Sequence, residues 1–174
     1  MSANLLLASL DEVLLQGECL LSALSDEQYA SRIPEALNAS IGAHYRHNLE
    51  HFKTMFGAVS EPAIDYDQRA RDVRIENERL FALEVTKSFR HTVQFLTASQ
   101  LERTVLARVK TSYVNSGQCS AASTVGREIM YVISHAVHHY ALIALICGMR
   151  NIPLPKGFGI APSTIQYQKQ SASS

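Results

Sequence analysis

Six of the seven histidines of this 174-residue chain fall in two short windows: His44, His47 and His51 in one, and His135, His138 and His139 in the other. Imidazole is the commonest protein ligand for transition metals and a proton carrier near neutral pH, and spacing decides which use is open to it. On a helix, residues four apart lie one turn above each other within about 40°, so His135 and His139 can aim two imidazoles at one point. His138 is about 100° from His139 and is a poor third donor from the same helix. The first window offers His44, His47 and His51 within an arc of about 60°. One of them would complete a three-histidine face with coordination positions left open, as catalytic sites have. Three neutral imidazoles suit zinc, nickel or iron. The competing reading is a set of histidines that merely hydrogen-bond within the core. Several unpaired imidazoles are costly to bury, which favours the metal.

The surrounding pattern says what must position these side chains. Apolar residues recur at helical spacing over 4–24 (Leu6, Leu10, Val13, Leu14, Leu20, Leu21, Leu24), and Ser25 before Asp26, Glu27 and Gln28 reads as the cap of a short helical turn. A second helix spans 40–55, with Ile41, Tyr45, Leu49, Phe52 and Phe56 on one face and Gly57 closing it. A polar stretch containing Arg69, Arg71 and Arg74 precedes a third helix from Ile75 to about Leu96. Residues 104–114 alternate apolar and polar types, which predicts a short strand or β-hairpin turning at Asn115, Ser116 and Gly117. The fourth helix, 124–147, is apolar on nearly all sides and central, stopped by Gly148. Residues 161–174 are expected as a loop and frayed polar tail after a single domain over 1–160. The fold class is therefore all-α, a four-helix bundle with a short β-hairpin between helices three and four.

Composition and spacing exclude several functions. Sixteen basic and sixteen acidic residues give a formal net charge of zero, with no electrostatic footprint for nucleic acid or an anionic membrane. No apolar run looks long enough for a bilayer span, and the start of the chain reads as helix rather than signal peptide. Cys19, Cys119 and Cys147 have no paired spacing and suit free thiols, so a cytoplasmic location is expected. Glu50 is followed at the third position by Lys53 and Glu128 by Tyr131, so the Glu-x-x-His motif of carboxylate di-iron bundles is absent. Motifs for zinc proteases, covalent haem and nucleotide phosphates are absent too.

The segments SIGAHYRHNLEHF (40–52) and SHAVHHYALI (134–143) resemble the DinB-like superfamily, which includes YfiT-like proteins and bacterial thiol-dependent S-transferases. The resemblance covers most of the chain. It implies a four-helix bundle in which one histidine of the second helix and an H-x-x-x-H pair of the last long helix hold a divalent ion. His135 and His139 carry over as that pair, with His138 as the non-ligand neighbour. A ligand seven residues after the Ser/Thr that opens the second helix places His47 third. The apolar stripe is centred nearer His44 and His51, which stay in reserve as ligands and otherwise serve as supports.

Other residues carry weaker expectations. Glu50 is a candidate general base or ligand orienter, but its phase on the helix predicts a solvated carboxylate. Tyr131 and Glu128 precede His135 by four and seven residues, which puts both near the metal face as substrate contacts or supports. Arg69, Arg71 and Arg74 would receive an anionic substrate if they left the solvent. The functional expectation is a metal-dependent enzyme that activates a water or a thiol for hydrolysis or thiol transfer on a small-molecule substrate, with a low-molecular-weight thiol favoured by the resemblance. The alternative is a non-catalytic bundle that binds a metal or small molecule. Apolar surface on helix one or three would support a homodimer.

Overall fold

The computed structural model describes residues 3–172. Its helices are α1 (Ala3–Ala23), α2 (Asp26–Ala30), α3 (Ile41–Gly57), α4 (Val73–Asn77), α5 (Arg79–Val93), α6 (Ala98–Glu102), α7 (Val125–Met149) and α8 (Pro162–Ala172). Strands β1 (Ala63–Asp65), β2 (Thr104–Val109) and β3 (Cys119–Thr124) form one small sheet in that order. The chain is thus mostly helical with a three-stranded sheet. The four long helices are mutual neighbours, α1 and α3 each packing on both α5 and α7. Leu10, Leu14, Tyr45, Phe52, Ile129 and Ile143 fill the space between them.

Local chemistry sets the helix starts. The Ser40 hydroxyl accepts from the Ala43 amide at 3.0 Å and the Thr124 hydroxyl from the Arg127 amide at 3.2 Å, so both histidine-bearing helices begin on a side-chain cap. Ser25 and Gln28 form a full capping box on α2. Of the two expected glycine stops, Gly57 is the last residue of α3, whereas Gly148 lies inside α7, which runs on to Met149 through a residue that only weakly opposes a helix. The left-handed turn comes later, at Asn151.

Four further expectations change. The third helix is two helices, α4 and α5, broken at Glu78, whose extended backbone lets α4 fold back against α3. The hairpin is present as β2 and β3, and β1 joins β2 in parallel, a three-residue pairing whose partner lies 43 residues on. Residues 162–172 form a helix rather than a loop, since Pro162 opens it and no breaker follows; its residues are largely exposed, and the last two residues of the expected tail lie outside the described ones. By length and composition α7 is apolar enough to cross a bilayer, contrary to the sequence expectation. A core helix passes the same test, and α1, α3, α6 and β3 all pack on α7.

Two glycines permit the close approaches that position the site. A Cβ on Gly17 would collide with the hydroxyls of Tyr45 and Tyr140, which stack between the helices. A Cβ on Gly42 would strike the Glu76 carbonyl, so glycine lets α4 lie directly on the start of α3.

Candidate metal centre

Helices α3 and α7 run antiparallel, and their histidines meet in rows. His44 faces His139, with Nδ1 to Nδ1 at 3.2 Å, and His47 faces His135, with Nε2 to Nε2 at 3.0 Å. One nitrogen from each of His47, His135 and His139 lies within 4.8 Å of the other two. That spread suits one ion at ordinary metal–imidazole distances of about 2.0–2.1 Å after small rotamer adjustments. His138 is exposed, as its helix phase requires, and His91 packs on Phe95 away from the cluster.

The reserve histidines come to the same place in other roles. His51 lies flat on His135, with ring centroids 4.1 Å apart and planes 4° apart. Its Nε2 is 3.1 Å from an Arg69 guanidinium nitrogen, so that lone pair accepts from a cation and is not free for a metal. His44 stands behind His139 in the position from which a second imidazole fixes a ligand's tautomer.

Burial and crowding keep this cluster neutral. Burial is the main cause that lowers His47 and His135 to about 4 and His139 to about 3, with neighbouring positive charge adding to it. His51 falls to about 2, chiefly by burial and then by His135, His47 and Arg69; burial also lowers His44. Neutral imidazoles near pH 7 are the donors a transition metal needs.

Glu50 is not solvated. The strap 65–74 folds over it, leaving it 3% exposed, and its carboxylate meets Arg46 at 3.3 Å and Arg69 at 3.6 Å while accepting the Asp72 amide at 3.1 Å. These contacts tie it to both arginines and to the strap backbone. Of the three strap arginines only Arg69 reaches the histidines. Arg74 pairs with Asp72 at 2.7 Å and covers Phe81, while Arg71 is exposed in a left-handed conformation.

Tyr131 and Glu128 lie one and two turns before His135. The Tyr131 ring is 5.7 Å from that of His135, and burial raises its hydroxyl pKa above the usual phenol value. Glu128 is buried and accepts from the Tyr66 hydroxyl at 2.7 Å and the Ser123 hydroxyl at 2.6 Å. Sequence reasoning missed Tyr66, which sits 5.3 Å from the His51 ring at the end of β1, and no local pattern marks it. It also missed Asn48, which is fully buried one turn from both His44 and His51 with its amide unpartnered.

The fold and site thus define a mostly helical protein with a half-buried cluster of neutral histidines between two antiparallel helices. No family model matches the chain, and no solved structure matches it. A stretch of 118 residues, 68% of the chain, is 32% identical to FK506-binding protein 5 of Rhizopus delemar. The match covers 31% of that protein, so the chain spans about a third of the relative's length.

Proposed function

We propose that this chain is a four-helix bundle of DinB-like type in which His47, His135 and His139 hold one divalent ion for an enzymatic reaction. The observation that carries the reading is the convergence of three imidazole nitrogens within 4.8 Å from facing turns of α3 and α7. Zinc, nickel and iron all suit this donor set. A divalent ion there would supply a nucleophile at neutral pH from a thiol or a water, as three-histidine sites with open positions do. The protein's own groups would do the rest. His44 holds the ring of His139, and Glu50 fixes Arg69 against His51. Tyr66, Tyr131 and Glu128 line the approach from the sheet side. Thiol transfer to or from a small molecule is the favoured reaction, on the resemblance of the two histidine segments to thiol-dependent S-transferases, with hydrolysis second.

Elemental analysis of untagged protein tests the reading beside a His135→Ala, His139→Ala double variant. About one divalent ion per chain, lost in the variant, is expected. No bound and no rebindable metal in the wild type would overturn it.

A further inference from the structure

Beside the histidine cluster, a cleft of about 410 Å³ opens between the hairpin and the first half of α7. Its origin is legible in the strand register. Ser123 points to α7, where its hydroxyl bonds Glu128, so every second residue of β3 shares that face: Ala121 and Cys119. Opposite them on β2 are Val105, Ala107 and Val109. Val105 is buried against the core, but the next pair is alanine on alanine, and the sheet and helix stand apart there for lack of side-chain volume. Tyr66 and Tyr131 wall the inner end.

The cleft leads to the histidines along one stripe of α7. Glu128, Tyr131, His135 and His139 follow at spacings of three, four and four, so they lie above one another on one face. One helical turn, about 5.4 Å, separates the cleft wall at Tyr131 from His135. The charged residues along the cleft are Arg108, Arg127 and Glu128, but Arg108 alternates with Ala107 and Val109 and so sends its side chain to the other face of the sheet, beside Asp65. The Glu128 carboxylate is already engaged by two hydroxyls, while the Arg127 guanidinium, 63% exposed, lies over the Tyr131 ring at 5.8 Å and is the cation open to a ligand on this face.

We propose that this cleft is the substrate site of the histidine centre and that it takes a slim organic anion, its apolar body on Tyr131 and the two alanines and its negative group toward Arg127. This rests on the metal-centre reading given above. The volume falls at the lower end of small-ligand pockets, roughly 300–1,000 Å³, which excludes bulky substrates.

The test uses full-length protein loaded with cobalt, after the cobalt content has been measured. ω-Mercapto carboxylic acids of increasing chain length are titrated against their neutral amides, and the thiolate-to-cobalt absorption is read. The acids are expected to bind about fivefold tighter than the amides, a preference lost in an Arg127→Gln variant that keeps its cobalt. Cys119, an exposed thiol in the cleft, gives a second readout that needs no metal. S-methylated forms of the same acids should slow its alkylation while leaving exposed Cys19 unaffected. Equal binding of acids and amides, or no protection of Cys119 in protein that holds cobalt, overturns the cleft assignment. Failure to take up cobalt overturns the metal centre itself and is seen before any acid is added.

Discussion

The two ends of the histidine row use the same residue type on the same two helices and differ in what faces them. At one end His44 meets His139 through a bare pair of ring nitrogens at 3.2 Å. At the other, His51 lies flat on His135 under the Arg69 guanidinium, which Glu50 holds in place. A ring nitrogen that accepts from a cation has no lone pair to give a metal, whereas one that faces another imidazole can still trade a proton and orient its neighbour. The neighbours of each imidazole, more than its phase on the helix, therefore set which ones can act as ligands.

The largest way to break this contrast is through the contact that seats the strap end. Gly42→Ala drives a Cβ into the Glu76 carbonyl and should cost about 3 kcal/mol or more in chemical denaturation, because the clash is with backbone. Unchanged stability would mean that α4 does not lie on α3 as described. Glu50→Ala comes next: it strips the partner from Arg46 and Arg69, which are themselves mostly buried, and should cost about 2 kcal/mol. Thermal melts should show that loss, with Glu50→Gln recovering part of it.

Acid tests both ends together. In the unfolded chain these imidazoles take up protons below about pH 6.5. In the folded chain His47 and His135 wait until about 4 and His139 until about 3, held down mainly by burial. The stabilising difference is therefore complete above pH 6.5 and is lost as the pH falls through 4 and then 3. Metal-free protein should show urea midpoints that are flat from pH 7 to 8 and decline steadily below 6; a flat profile down to pH 4 would show that the rings titrate normally. The smallest effect separates the two reserve histidines. His44→Ala should weaken metal binding by about 10- to 100-fold, the usual loss when a ligand's hydrogen-bonding partner is removed, while His51→Ala leaves affinity near the wild-type value. Competition with a chelator measures both, and the reverse order would exchange the roles assigned here.

Much of the helical frame could be read from residue patterns. The periodic stripes of α1, α3 and α7 and the caps at Ser25 and Ser40 are local features, and the structure follows them closely. The rest depends on distant partners. The break at Glu78 lies inside a continuing apolar stripe, and β1 is three residues long with a parallel neighbour supplied by a remote strand. Glu50 looked solvated because its phase on the helix is polar; the charged strap that covers it is invisible to a helical wheel. The i, i+4 pair on α7 placed His135 and His139 together without help, but the choice among His44, His47 and His51 turns on Arg69 and on helix pairing, neither of which is local.

The pairing of His47 with His135 joins positions 88 residues apart. An ion shared by them would leave when the chain unfolds, so it would stabilise the folded state by mass action, by about 2.7 kcal/mol at a free concentration one hundred times its dissociation constant. Such a clasp would be reversible without reductant, and its strength would follow metal supply. The folded lifetime of the protein would then report the metal status of its surroundings, independent of any turnover at the site.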